Sequence, residues 1–286
     1  FCTVNPEAGN EISHKLKPST LRKKILIIGG GVAGMEAARI LTIIGHNVKL
    51  YEKNKELGGH LREASVPDFK KDISRLLKWY IRQMNILKVE IKLNFEADCT
   101  TVEEESPNAI IFAAGSCNNL SDIPGIQRPN VIFASDLLIE QKNIGGKIII
   151  VGGGMIGLET ALWLAKKEKE ITVIEALAEV GLDGALSNKE MLLDLLTHNE
   201  INIRKNAELI EIFNEYIEVK DRRYNSKHIL EYDNLVLSTG LKQNNGLYKV
   251  IVQNFPQTDI YSIGDCKKPG KILNAIWDAF QVSRSI

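Results

Sequence analysis

Two glycine groups are the residues of this chain whose type and spacing can do chemistry. Gly29, Gly31 and Gly34 stand in the order G-x-G-x-x-G, and Gly152, Gly154 and Gly157 repeat it. An apolar run leads into each group, a helical stretch follows, and a carboxylate, Glu52 or Glu175, ends a second apolar run. In such a unit the first glycine makes a tight turn and the second lets backbone approach a pyrophosphate. The third lets the helix pack against the strand. Because the helix starts at the turn, free N–H groups around Val32 and Ala33, and around Met155 and Ile156, face an anion. The carboxylate, about 20 residues on, accepts ribose hydroxyls. Laid over each other without gaps, residues 24–53 and 147–176 match at 11 of 30 positions, so the second copy duplicates the first with its working parts intact. Two complete copies imply two dinucleotides in one chain, and electrons passing between them.

Glu52 is followed by Lys53 and then by Leu57-Gly58-Gly59, which puts a second flexible backbone, at Gly59, near the same crevice. Glu175 repels the 2′-phosphate of NADP, and Ala176, Leu177 and Ala178 supply no cation to hold one. The local sequence therefore favours NADH over NADPH. Two later runs end in small-residue turns, Ala113-Ala114-Gly115 and Ser238-Thr239-Gly240. Gly115 lies 86 residues after Gly29 and Gly240 lies 88 after Gly152, so the repeated unit is a whole domain rather than a fingerprint. A further strand followed by Gly264-Asp265 has no partner after the first unit.

The elements that must position these residues are legible in outline. Strands are expected at 25–28, 48–51, 89–93 and 108–115, then near 201–204, 208–213 and 215–219. Helical spacing covers 68–84, with Ile73, Leu76, Leu77, Tyr80 and Ile81 on one face, and also 191–198 and 272–286. The unpartnered Gly264-Asp265 piece is explained most simply by inserting the second domain into the first. The expected arrangement is a lead-in at 1–18, one domain at 19–118 plus 247–286, and another at 119–246. The fold class is α/β: two Rossmann-like, three-layer (β/β/α) dinucleotide-binding domains, the second inserted in the first.

Composition excludes several other classes. Formal net charge is zero with no long basic run, so nothing draws the chain to nucleic acid. No apolar run reaches the 18 or so residues of a membrane span. The four cysteines, at 2, 99, 117 and 266, are scattered rather than paired in a disulfide framework, which suits a reducing cytoplasm. The five histidines, at 14, 46, 60, 198 and 228, have no metal-ligand spacing; His60, just after Gly58-Gly59, is placed either to touch a cofactor or, the reading favoured, as a solvated loop residue. The start at Phe1 and the finish inside a helix suggest a piece of a longer polypeptide.

Together these motifs resemble the two-dinucleotide flavoprotein reductases. The resemblance implies FAD on the first glycine unit and NAD(P)H on the second, with Asp265 bonding the ribityl or pyrophosphate part of FAD. The segment C-T-V-N-P-E-A-G-N-E, from Cys2 to Glu11, narrows it further. It resembles the C-x-x-N-P-x-x-x-x-E segment of the NADH:flavin oxidoreductase, enoate and 2,4-dienoyl-CoA reductases and their trimethylamine dehydrogenase relatives. In that family an FMN-binding TIM barrel precedes this segment, and the cysteine is the last of four ligands to a [4Fe–4S] cluster. The resemblance carries that role to Cys2 alone, with the other ligands and the barrel upstream in the same polypeptide. The chain lacks the C-x-x-C of the thioredoxin-reductase branch, so electrons are not expected to leave through a dithiol.

The implied function is an electron-input module. It takes a hydride from NADH to FAD and sends single electrons to the cluster and to an FMN that reduces an activated C=C bond. No side chain needs to act as acid or base in that transfer, so none is assigned as catalytic. Glu159 is a candidate for seating the nicotinamide by resemblance, or, like its repeat partner Glu36, for a charge role at a helix start. Two alternatives stay open. ADP fills the first site as a structural nucleotide in the trimethylamine dehydrogenase branch, although Gly264-Asp265 favours FAD. A stand-alone NADH:ferredoxin or quinone reductase is the other.

Overall fold

Each apolar run that leads into a glycine group is the central strand of its own five-stranded parallel sheet in the computed structural model, which describes residues 2–119, 122–140 and 144–286. In chain order the first elements are β1 (Lys24–Ile28), α1 (Val32–Ile43), β2 (Asn47–Tyr51), the short α2 (Leu61–Ala64) and α3 (Lys71–Ile86). Next come β3 (Glu90–Lys92), α4 (Cys99–Glu105), β4 (Ala109–Phe112) and β5 (Ser116–Asn118). The middle of the chain forms β6 (Val131–Phe133), α5 (Ala134–Glu140), β7 (Lys147–Val151), α6 (Met155–Ala165), β8 (Glu170–Glu175) and α7 (Leu186–His198). It continues through β9 (Asn202–Lys205), β10 (Ala207–Ile212), β11 (Tyr216–Asp221), β12 (Ser226–Glu231) and β13 (Asn234–Leu237). The last elements are β14 (Leu241–Gln243), α8 (Gly246–Asn254), β15 (Asp259–Ser262) and α9 (Ile272–Ser285).

The chain separates into two units. Unit 1 takes the described residues up to Arg62, together with Asp72–Cys117 and Leu241–Ile286; unit 2 takes Glu63–Lys71 and Asn118–Gly240. The sheet orders are β15-β4-β1-β2-β3 in unit 1 and β6-β13-β7-β8-β9 in unit 2. The edge place that β6 fills in unit 2 thus falls in unit 1 to a strand from the far end of the chain.

A central parallel strand is apolar on both faces, because helices or a second sheet cover both sides. Ile25 and Ile27 of β1 enter a core with α1, α3 and α9, whereas Leu26 and Ile28 enter a second core with Val102 of α4 and Ile251 of α8. Each Ile or Leu buried this way contributes about 1.5–3 kcal/mol. In unit 2 the same division puts Ile148 and Ile150 against α5, α6 and α7. Ile149 and Val151 instead pack on the antiparallel sheet β10-β11-β12. The layer opposite the main helices is therefore a sheet in unit 2 and a pair of short helices in unit 1.

Helix α4 is fixed at both ends. Asp98 caps it, accepting from Thr101 N–H at 2.9 Å, and Ser106 ends it in the left-handed region at φ 43°. Its last residue, Glu105, ties it to the sheet through Lys24 at 2.9 Å, Lys49 at 3.1 Å and the Tyr51 hydroxyl. The tyrosine hydrogen bond and the two lysines hold the Glu105 carboxyl down at about 2. Burial and the same bond push the Tyr51 phenol up to about 12.

The polar lead-in lies along α9. Trp277 Nε1 donates to the Cys2 carbonyl at 3.1 Å, and the His14 ring packs 5.4 Å from Phe280. Among the described residues no helix is long and apolar enough to cross a membrane.

Candidate functional site

In unit 1 the turn after β1 passes under the end of β4. Gly29 has φ +111°, and a Cβ there would lie 2.3 Å from the Ala113 carbonyl oxygen. A Cβ on Gly34 would lie 1.9 Å from the Gly29 carbonyl oxygen, so α1 rests directly on the turn. Gly31 is different. Its φ is −72°, which any residue adopts, and the nearest atom to a Cβ would be Gly59 Cα at 3.9 Å. Neither backbone conformation nor protein packing asks for glycine there. Among the described residues no side chain hydrogen-bonds the first-turn N–H groups of α1, at Val32, Ala33 and Gly34.

Glu52 is buried at the end of β2. Its Oε2 accepts from Gly30 N–H at 2.7 Å, and its Oε1 accepts from Asn54 N–H at 2.8 Å and Asn54 Nδ2 at 2.7 Å. A carboxylate has about four acceptor positions, so one remains, on Oε2. The middle glycine of the triplet has its own reason: a Cβ on Gly30 would meet Leu57 Cδ2 at 2.5 Å and Glu52 Cβ at 3.2 Å. Gly58 bridges to Gly31, and its N–H donates to the Gly30 carbonyl at 2.9 Å, which brings Gly59 onto the turn. Lys53, next along the chain, is exposed.

Gly264 and Asp265 join the same crevice from the end of the chain. A Cβ on Gly264, which has φ +65°, would lie 2.9 Å from Ala33 Cβ. Asp265 Oδ1 accepts from Gly270 N–H at 3.1 Å, and Oδ2 accepts from the Ser116 hydroxyl at 2.9 Å. Ser116 has one proton and gives it to Asp265, so its oxygen accepts from His60 Nε2 at 3.0 Å. His60 is thus wired to Asp265 rather than solvated. Beside this chain, the Ala114 carbonyl accepts from Asn244 Nδ2 at 3.3 Å, and Gly115 turns at φ +71°.

Unit 2 repeats the turn. Gly152 has φ +108°, with a would-be Cβ 2.2 Å from the Ser238 carbonyl oxygen, and that of Gly157 would lie 2.1 Å from the Gly152 carbonyl oxygen. Gly154, at φ −70°, again has no close protein neighbour; the nearest atoms are the Asp183 carboxylate oxygens at 3.6 Å. Glu175 accepts from Gly153 N–H at 2.6 Å on Oε2 and from Leu177 N–H at 2.8 Å on Oε1, leaving one acceptor position on each oxygen. The Ile156 side chain is half-exposed on the first turn of α6, and Met155 packs beside Gly184. Gly240 turns at φ +91°, and its carbonyl accepts from Asn119 N–H at 3.0 Å.

Three features lay beyond the sequence reading. Lys205 is the register partner of Glu175 across β8 and β9, and Arg222 Nη1 reaches the Ala176 carbonyl at 3.4 Å. Arg222 therefore comes to the loop after Glu175 from a distant position, and Lys205 stands opposite Glu175 itself. Asp183 Oδ1 accepts from Met155 N–H at 2.9 Å, on the first turn of α6. The duplication was the available signal for Asp183, since it stands 123 residues after His60, as Gly152 stands 123 after Gly29.

Glu159 forms an ion pair with Lys70, and Glu36 a buried one with Arg39 at 2.7 Å, so both helix-start acids have protein partners. Cys2 is half-buried, and among the described residues no group of three or more His, Cys, Asp or Glu is placed to hold a metal ion.

Comparison with known proteins agrees with this geometry. The family described as pyridine nucleotide-disulphide oxidoreductase matches residues 23–279. A cinnamate reductase of Clostridium sporogenes is 39% identical over 288 residues, covering 100% of this chain and 42% of its own length. A bilirubin reductase of Mediterraneibacter gnavus is 32% identical, covering 96% of this chain and 42% of its own length. The solved structure of a 2-naphthoyl-CoA reductase complex superposes with a TM-score of 0.93 at 28% identity, over 100% of this chain and 43% of that one. The chain therefore spans less than half the length of the relatives it matches. It belongs to the pyridine nucleotide-disulphide oxidoreductase family and is an FAD-dependent NAD(P)H oxidoreductase related to the C-terminal regions of the enoate-reductase group.

Proposed function

We propose that this chain is the electron-input module of a larger reductase. It takes hydride from NADH onto FAD and sends single electrons to a [4Fe–4S] cluster and an FMN-bearing barrel, which reduces an activated C=C bond. The observation that carries the two-nucleotide reading is the pair Gly31 and Gly154. Both have ordinary negative φ, and neither is packed closely enough by protein to require glycine. Relatives named for cinnamate, bilirubin and 2-naphthoyl-CoA support an unsaturated substrate.

Unit 1 would hold FAD. The first-turn N–H groups at Val32, Ala33 and Gly34 face the pyrophosphate across Gly31, with Gly59 opposite. Glu52 keeps one lone pair for a ribose hydroxyl, and Ala114 and Gly115 bound the crevice beside Gly264. Asp265, held by Ser116 and Gly270, follows Gly264, which lies against Ala33 on the first turn of α1, and this supports FAD over a bare ADP. Bound FAD supplies the exchange between two-electron and one-electron transfer that a cluster requires.

Unit 2 would hold NADH across Gly154, with Glu175 offering one acceptor to each ribose hydroxyl. NADH is favoured over NADPH because Glu175 repels a 2′-phosphate, while Arg222 is already engaged by Ala176 and by Glu208 at 3.5 Å. Cys2 would give one thiolate to the cluster, the other ligands coming from outside the described residues. Its four free cysteines support a reducing, cytoplasmic setting.

The test is the absorption spectrum of the purified protein before and after anaerobic NADH. Flavin bands that bleach with NADH are expected. A colourless protein that releases ADP on denaturation would replace this reading with the structural-nucleotide one.

A further inference from the structure

The two phosphate seats are built from one duplicated plan, yet they differ at one position. In unit 1, residue 60 is a histidine that turns away to Ser116, and no described side chain claims the first turn of α1. In unit 2 the matching residue is Asp183. Its Oδ1 lies 2.9 Å from Met155 N, and both carboxylate oxygens lie 3.6 Å from where a Cβ of Gly154 would be. A carboxylate oxygen on a free helix N–H sits where a phosphate oxygen of a dinucleotide sits.

The loop from Ala176 to Ala185 is shaped to put it there. Gly181 N–H donates to the Gly153 carbonyl at 2.7 Å, which anchors the loop on the glycine turn itself. Val180 is buried in the α5–α7 core and pins the root of the loop. Past the root, Gly181 at φ +64° and a Gly184 N–H to Gly181 carbonyl bond of 3.2 Å close a tight turn. The tip is held by little else: Leu182 is 61% exposed and Leu186 is 71% exposed. Lifting Asp183 off α6 breaks its bond to Met155 while the buried Val180 at the root stays in place.

We propose that Asp183 is an internal latch on the second nucleotide seat, a carboxylate that occupies the pyrophosphate position until a dinucleotide displaces it. The proposal rests on the reading that unit 2 binds NAD(H). A pyrophosphate and a carboxylate cannot share one helix N-terminus, since both are anions competing for the same donors. The closed state therefore taxes binding by the fraction of molecules in which the seat is free. The same competition acts in reverse on product, because the carboxylate is at hand to retake the N–H groups as NAD+ leaves. The seat then binds its nucleotide loosely and turns it over fast, and unit 1, with His60 in that place, keeps its nucleotide.

The experiment is calorimetric titration with NAD+, which has the same pyrophosphate but donates no hydride. It uses the flavin-loaded full chain and the Asp183→Asn and Asp183→Ala variants. Removing one charge-assisted competitor should tighten NAD+ binding about tenfold in both variants, because the seat no longer has to be vacated first, with flavin content and melting temperature unchanged. Equal affinity in all three proteins would overturn the latch and leave the second-site reading standing. Weaker binding in the variants would make Asp183 a ligand to the nucleotide and overturn the latch as well. No NAD+ binding in any of the three would remove the second-site reading and the latch with it.

Discussion

Replacing Gly31 and Gly29 separately by alanine isolates what each glycine is for. At Gly29 the new methyl group would lie 2.3 Å from the Ala113 carbonyl oxygen, with φ at +111°. The neighbour is backbone and cannot rotate away, so strain and overpacking add to roughly 2–5 kcal/mol of lost stability. At Gly31 the nearest atom is 3.9 Å away and φ is −72°. Folding stability should therefore move by less than about 1 kcal/mol, the small loss of a glycine cap being offset by a stiffer unfolded chain. The same methyl group would project at the pyrophosphate, where about 1–3 kcal/mol of overpacking weakens FAD by about 5- to 150-fold. Thermal melting of flavin-free protein measures the first quantity, and flavin titration of the refolded apoprotein measures the second. The expected signature is a crossed one: Gly29→Ala melts early, while Gly31→Ala melts normally and loses flavin. A Gly31→Ala protein that keeps flavin at wild-type affinity would refute the assignment of that glycine to the cofactor. One that melts as early as Gly29→Ala would refute the packing argument.

Three further outcomes follow from the geometry. Glu105 sits at about 2 in the folded protein against 4.5 ordinarily, so its stabilisation is full above pH about 4.5 and is lost as pH falls toward 2. The amount is at most about 3 kcal/mol, and Glu105→Gln should flatten that limb of the pH–stability curve; an unchanged limb would exclude Glu105 as its source. Glu175→Gln, with Arg222 and Lys205 near the same loop, should shift the NADH-to-NADPH preference about tenfold toward NADPH. A preference indifferent to that change would separate Glu175 from the ribose. Ser116→Ala cuts the link between His60 and Asp265; flavin should dissociate about three- to tenfold faster with little change in melting, and unaltered flavin release would deny the chain a positioning role.

The parts of the fold legible in sequence are those where one residue type has one physical reason. The glycine triplets, their strands and their closing acids were plain because sterics admits no substitute at Gly29, Gly34, Gly152 or Gly157. The helix at 191–198 begins earlier, at Leu186, because Leu186 and Met191 are exposed and break the apolar period. Strand β12 escaped because it is exposed on both faces, with even Ile229 65% exposed, so it shows no alternation. Helix α8 reads Gly246-Leu247-Tyr248-Lys249-Val250-Ile251-Val252, a run of strand-favouring residues. It is helical because Leu247, Tyr248 and Ile251 cover the open face of β4 and β15. In the site, His60 looked like a loop histidine because its partners, Ser116 and Asp265, are 56 and 149 residues apart along the links. The same distance in sequence hid Arg222 and Lys205 from a window around Glu175.

The place of β15 sets an order in time. It pairs with β4 along Ala109↔Asp259 to Phe112↔Ser262, and α9 packs on α1 in the same core. On a ribosome moving at roughly 5–20 residues per second, the partner of β4 arrives about ten to thirty seconds after β4 itself. In that interval the contiguous strands β6 to β13 have all they need to form their own sheet. Unit 1 waits with the bare edge of β4 and the apolar flank of α1 uncovered. Unit 1 is thus most adhesive while unit 2 is being made, and the strand that completes its sheet is synthesised only after unit 2.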